Sequence, residues 1–172
     1  MKKCGLWAWP VPADTPVKFI VDGMLGKLAK WLLILGFDTA FDPRRQDDEL
    51  LALAKKENRG LLTRDHGLLD RAKGLTSLFV ASEKWQEQVG QVLRDFDLES
   101  EVRPLSRCLI CNVPLKPLSK ARAHNLVSAF VYEKADSFAL CPVCGRVFWQ
   151  GTHFRAMEKN IRKLGVRPTH FT

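Results

Sequence analysis

Between residues 17 and 96 the apolar positions alternate between two periods. Val17-Lys18-Phe19-Ile20-Val21 is a short apolar run that stops at Asp22, as a buried strand does. Leu25, Leu28, Ala29, Leu32, Leu33 and Leu35 then recur at helical spacing, and Gly36 supplies the stop. Residues 37–41 predict a second strand. Asp47 opens a helix that turns Leu50, Leu51, Leu53 and Ala54 toward a core. Residues 60–63 predict a third strand, followed by a turn around Asp65 and a brief helix through Leu68 and Leu69. Residues 75–81 predict a fourth strand, and Ser82 is placed as the cap of a helix running to about Phe96. Such alternation predicts an α/β architecture: a doubly wound, mostly parallel sheet with helices on both faces. Ligands of these sheets bind in loops at the carboxyl ends of the strands.

Beyond this segment the pattern changes. Residues 98–107 mix charges with Pro104 and read as a linker. Two Cys-x-x-Cys pairs follow, Cys108/Cys111 and Cys141/Cys144. The 29 residues between them are too many for a simple finger gap and predict a hairpin or helix of their own, with a short helix near 120–127. Residues 146–150 read as a strand, and 153–164 as a basic amphipathic helix. The chain thus divides into an N-terminal extension (1–16), an α/β domain (17–97), a linker (98–107) and a small cysteine module (108–172).

Four thiolates at this spacing form a tetrahedral cage suited to zinc, with no coordination position left for substrate. The ion is expected to be structural. Paired cysteines read as metal ligands in the cytoplasm, where thiols stay reduced, and Cys4 is left as a free thiol. No apolar run reaches the roughly 20 residues of a membrane-spanning helix. Prolines and Asp14 break the first 16 residues, which do not read as a secretion signal.

Charge sharpens the division. Of the net +8, none belongs to residues 1–104, where 16 Lys and Arg balance 16 Asp and Glu; residues 105–172 carry 11 Lys and Arg against 3 acids. A basic surface of this kind attracts polyanions, nucleic acid above all. Arg146, Phe148, Trp149, His153, Arg155, Lys159, Arg162 and Lys163 interleave rings with cations, the composition that stacks unpaired bases and holds their backbone. One of Phe148 and Trp149 is expected to fill the module's small core instead.

In the α/β part the chemistry lies in carboxylates. Asp22 follows the first strand, Asp47-Asp48-Glu49 opens the second helix, and Thr63-Arg64-Asp65 ends the third strand. In a parallel sheet all three sets reach the same edge, where like charges call for a divalent cation. Oxygen ligands favour Mg²⁺ or Mn²⁺. Each acid also has a plain explanation: Asp22 as an Asx turn or cap, Asp47 as an N-cap, Asp65 as a turn with His66-Gly67. Helical phase sets Asp47 above the apolar face and Asp48 one step round; Asp70 is a fourth acid. Lys27 and Arg64 are the cations placed to meet a phosphate.

The segments Phe19-Ile20-Val21-Asp22-Gly23-Met24-Leu25-Gly26-Lys27-Leu28-Ala29, Asp47-Asp48-Glu49-Leu50-Leu51 and Leu61-Leu62-Thr63-Arg64-Asp65, ahead of both cysteine pairs, resemble a known family. It is the PIN-like RNase domain with an appended zinc ribbon found at the C-terminus of Mut-seven-type exonuclease homologues. The resemblance spans about residues 17–165. It implies a PIN-like fold with a Cys4 zinc ribbon, Mg²⁺ or Mn²⁺ dependence, and hydrolysis of RNA, as an endonuclease. The catalytic acids then map to Asp22, to Asp47 or Asp48, and to Asp65. Lys27, Arg64, Arg146, Trp149 and Arg155 are the expected RNA contacts, and the ribosome or tRNA a candidate partner. The alternatives are a non-catalytic RNA- or ribosome-binding adaptor and a PIN toxin.

Overall fold

The computed structural model describes residues 17–164, apart from the side chain of His153; the N-terminal extension with Cys4, and residues 165–172, lie outside the described residues. Four parallel strands, β1 (Lys18–Val21), β2 (Asp38–Phe41), β3 (Arg59–Thr63) and β4 (Ser77–Phe79), form a sheet in the order β2-β1-β3-β4. They alternate with helices α1 (Gly26–Ile34), α2 (Asp47–Glu57), α3 (His66–Arg71) and α4 (Trp85–Asp95). From β1 the chain moves outward to β2, then crosses back to β3. The winding therefore reverses between β1 and β3, the point at whose carboxyl edge sheets of this kind bind their ligands.

Strand alternation decides which helices cover which face. Phe19, Val21 and Leu62 pack with Leu28, Leu32, Val89 and Val92 of α1 and α4. Ile20 and Leu61 pack on the other face with Leu50 and Ala54 of α2 and Leu68 and Ala72 of α3. Central β3 is buried at every position, which is why its sequence reads as a continuous run rather than an alternation.

Two local expectations are corrected. β4 is only three residues long. Ser82 does not cap the following helix, whose N-cap is Lys84. Its hydroxyl accepts the Lys84 N–H at 3.1 Å and donates to Glu87 at 2.7 Å, closing a local turn just before the helix.

The cysteine module is a second sheet, β5-β6-β7, of antiparallel strands β5 (Lys116–Leu118), β6 (Phe138–Leu140) and β7 (Val147–Trp149). Between β5 and β6 lie two short helices, α5 (Lys120–Ala123) and α6 (Ala129–Lys134), and α7 (Thr152–Lys163) follows β7. The helix expected at 120–127 is thus one turn, and α6 adds another. Elements this short show too little periodicity to be read from sequence.

Residues 98–107 are no free tether. Leu98, Val102 and Leu105 are buried in the same core as α1, α4 and the Phe154 and Ile161 side chains of α7. The N–H groups of Arg103 and Leu105 donate to the Leu35 and Ile34 carbonyls at 2.9 and 2.7 Å, satisfying acceptors that the end of α1 leaves open. Gly36 makes this possible. Its φ is +100°, and a Cβ there would lie 2.3 Å from the Arg103 carbonyl oxygen.

At the amino edge, Asp38 joins the two parts. Its carboxylate accepts from Arg59 at 2.6 Å and from the Asn112 amide at 2.8 Å, with Arg107 at 3.8 Å. Arg59, almost fully buried, also donates to the Phe19 carbonyl and to Glu57. Asn112 in turn accepts the Thr39 N–H at 3.3 Å, an outward-facing donor on edge strand β2 that no other strand takes. Burial opposes ionisation of Asp38, but the Arg59 and Asn112 hydrogen bonds and the two guanidinium charges outweigh it and hold its pKa below the usual value.

Two outcomes are expected. Asp38→Ala leaves Arg59 short of a partner and should cost about 2–3 kcal/mol in urea unfolding at pH 7. Because the folded-state pKa is depressed, that loss should shrink as pH falls below the ordinary carboxylate value of 3.8 and through the folded value. A gap between wild type and variant that stays constant into acid would contradict the ionic role. Gly36→Ala, strained at positive φ and blocked by backbone, should lose at least about 2 kcal/mol in the same assay.

Candidate active site and metal centre

Asp22 is the first residue past β1, and its N–H still bonds the Leu62 carbonyl at 3.0 Å. Its carbonyl accepts from Leu25 N–H and opens a 3-10 turn, Gly23–Leu25, but its side chain does not cap that turn. The carboxylate reaches the end of β3 instead, with Oδ2 accepting the Thr63 hydroxyl at 2.7 Å. Thr63 is wholly buried at the end of β3, and the same oxygen accepts the Asp65 N–H at 2.9 Å. One hydroxyl donates once and accepts as well, so Thr63 ties the Asp22 carboxylate to the Asp65 backbone. Asp65 caps α3 through Oδ1, which accepts from Gly67 and Leu68 N–H at 2.7 and 3.2 Å. The cap uses one of its two oxygens.

Asp47 and Asp48 stand elsewhere. Both pair with Arg71 at the end of α3, Asp47 at 3.2 Å and Asp48 closer still. Neither caps α2: the cap is Gln46, whose side chain and that of Glu49 close a reciprocal capping box. Asp70 is exposed on α3. Asp22 and Asp65 are therefore linked through Thr63, while Asp47 and Asp48 are held by a guanidinium. Among the described residues no three carboxylates lie within shared ligand reach.

Sequence reasoning passed over Asp42. Parallel pairing ends with Val21 opposite Phe41, so Asp22 and Asp42 are the next residues on adjacent strands. The Arg44 N–H donates to Asp42 at 3.0 Å, and that bond with the Arg44 charge holds its carboxyl below the usual range. The signal was present, since Phe41-Asp42 repeats the strand-then-acid pattern of Val21-Asp22. Two glycines bring the segments together. A Cβ at Gly23 would lie 3.1 Å from the Pro43 carbonyl, and one at Gly26 would lie 2.9 Å from the Phe41 ring.

The cations nearby are partly occupied. Lys27 lies 5.7 Å from the Trp85 ring centroid, and Trp85 stacks on Trp31 at 4.3 Å. Arg64 reaches Glu83 at 3.4 Å, while its buried Nε has no protein partner. His66 stacks on Phe79 at 4.1 Å. In the cysteine module Arg146 and Arg155 are exposed and Trp149 is 39 % exposed, whereas Phe148 packs into the core.

The four cysteines converge, with all Sγ atoms within 4.8 Å of one another. Cys108 and Cys144 Sγ are 3.8 Å apart, matching the ligand–ligand edge of about 3.8 Å that Zn–S bonds of about 2.3 Å give in a tetrahedron. The two knuckles share one construction. In each, the second cysteine's N–H approaches the first sulfur at 3.5 Å, and the next residue's N–H returns to the first carbonyl, at 2.9 Å in one and 3.0 Å in the other. That next residue is left-handed in both, Asn112 at φ 55° and Gly145 at φ 69°. The sulfurs cannot all ionise unaided. Burial pushes Cys108 up, and burial with three neighbouring sulfurs pushes Cys111 up to about 12. At Cys141 burial is outweighed by the N–H groups of Cys144 and Val143, lowering it to about 7. A cation at the centre removes this mutual repulsion, so the set can hold zinc.

Purified chain should carry one zinc ion and, loaded with Co²⁺, show the thiolate charge-transfer absorption of a tetrahedral Cys4 site. Cys111→Ser should lose that spectrum and unfold at lower temperature. A metal-free chain as stable as the loaded one would exclude a structural ion.

Among the described residues no helix is long and apolar enough to cross a membrane. Comparison with curated proteins and with solved structures gives no match. The family model described as the Mut7-C RNAse domain matches residues 17–161, a span holding both the Thr63-linked acids and the four cysteines. The chain belongs to the Mut7-C RNAse domain family, whose description points to a ribonuclease-like function with RNA as substrate.

Proposed function

We propose that the chain is a PIN-like, divalent-cation-dependent endoribonuclease acting in the cytoplasm, with the zinc ribbon capturing RNA. The observation that carries this reading is the Asp22–Thr63–Asp65 arrangement at the carboxyl ends of β1 and β3, in a chain of an RNase family. Carboxylate oxygens suit Mg²⁺ or Mn²⁺, and Mg²⁺ commonly takes one or two protein carboxylates and fills its shell with water and substrate phosphate. Asp22 with the uncapped oxygen of Asp65 meets that need; Asp42 is the next carboxylate by register. Asp47 and Asp48 join only when Arg71 releases them.

When bound, the cation supplies an activated water and neutralises charge on the phosphate. The chain's own residues do the positioning. Thr63 fixes the Asp22 carboxylate, α3 fixes Asp65 through its cap, and Arg64 offers a guanidinium beside them. No side-chain nucleophile is required. The zinc module, which holds all the net positive charge, supplies affinity that the neutral α/β part lacks.

A second reading, a non-catalytic RNA- or ribosome-binding adaptor, draws support from the absence of a three-carboxylate cluster among the described residues. Labelled RNA incubated with Mn²⁺ or EDTA separates the two. The nuclease reading expects metal-dependent fragments, lost by about 100-fold or more in Asp22→Asn with RNA binding kept. A gel shift without fragments selects the adaptor.

A further inference from the structure

We propose that Phe130 and Trp149 form a clamp for one unpaired nucleobase of RNA, with Lys134 and Arg155 holding the flanking phosphates. This rests on the reading of the ribbon as the RNA-capturing part and names how it captures.

The two rings line one open cleft of about 390 Å³, together with Lys134, Gln150, Gly151 and Arg155. Phe130 is 70 % exposed and Trp149 39 %. Neighbouring side chains on α6 are used internally: Val131 packs into the module's small core, and Tyr132 meets the Lys120 ammonium at 5.4 Å and the His124 ring. Phe130 has no such use: its ring stands open in the same cleft as Trp149. Trp149 is held rather than loose. Gly151 lacks a Cβ that would lie 3.0 Å from the indole Nε1, so the ring lies close against the backbone.

Charge selects the occupant. Of the three acids in residues 105–172, Asp136 pairs with Lys120, Glu158 pairs with Arg162, and Glu133 is exposed on α6. Among the described residues neither Lys134 nor Arg155 has a carboxylate within ion-pair distance. Two aromatic faces flanked by two cations fit a base and its phosphates, since rings stack on any base face while cations hold the backbone. Gln150 adds a side-chain amide able to pair with a base edge. A duplex, whose bases are already stacked, cannot enter; single-stranded RNA can.

The test uses the full zinc-loaded chain carrying Asp22→Asn and a short single-stranded RNA with 2-aminopurine. Stacking in the clamp should quench the fluorophore. Phe130→Ala and Trp149→Ala should each weaken binding by about tenfold and abolish the quench, while Trp149→Phe keeps most of both. Lys134→Ala and Arg155→Ala should each lower the slope of log affinity against log salt by about 0.7. Zinc content and circular dichroism check that each variant is folded. Wild-type affinity and quench in folded Phe130→Ala and Trp149→Ala would overturn the clamp, as would equal affinity for a duplex. So would a concentration-dependent dimer that Phe130→Ala dissolves, because the cleft would then be covered by a second copy. RNA cleavage by the chain with Asp22 intact, combined with no quench, sinks the clamp and leaves the nuclease standing. Quench lost in the alanine variants, without cleavage by the intact chain, supports the clamp and sinks the nuclease.

Discussion

A single half-buried carboxylate holds the molecule's two parts in register. Asp38 begins edge strand β2, and the groups that satisfy it come from β3 and from the first cysteine knuckle. Its charge is stabilised by Arg59, and Arg59 is itself stabilised by Asp38, Glu57 and the Phe19 carbonyl. A buried guanidinium and a half-buried carboxylate are each costly without a partner, so the pair depends on both strands and the knuckle being in place. Arg107 extends the contact by donating to the Gly36 and Asn112 carbonyls. One outward-facing donor of the sheet edge, the Thr39 N–H, is thereby taken by the module rather than left open to another strand.

The same junction joins the cysteine module to the α/β sheet. Asn112 has two tasks. As the residue after the second cysteine it takes the left-handed conformation that the knuckle needs, which asparagine tolerates, and its amide reaches Asp38 and Thr39. Gly145 does only the first of these in the second knuckle. Together with the burial of Leu98, Val102 and Leu105, this makes residues 98–107 part of the core.

At the opposite, carboxyl, edge the site is built by close approach. Gly23 and Gly26 leave no side chain where Pro43 and Phe41 must sit, which sets the β2–α2 loop against the turn carrying Asp22. Thr63 then couples Asp22 to Asp65 through one hydroxyl. The segment around Asp22 thus has a steric reason for its two glycines.

Much of this was legible in the chain. Strand and helix periods gave the α/β order, because the central strands β1 and β3 bury both faces and the helices turn an apolar side to the sheet. The cysteine spacing announced a four-sulfur cage, because two tight turns can offer ligands to one ion wherever they lie. Charge partition singled out the cationic module. Tertiary structure alone decided which acids meet. Asp47 looked equivalent to Asp22 along the sequence, yet Arg71, 24 residues away, claims it, while the register of β1 against β2 brings up Asp42. Sequence period says which face a residue takes along its own element; partners from distant elements depend on how strands align and how side chains cross between them, and that is settled only when the chain packs.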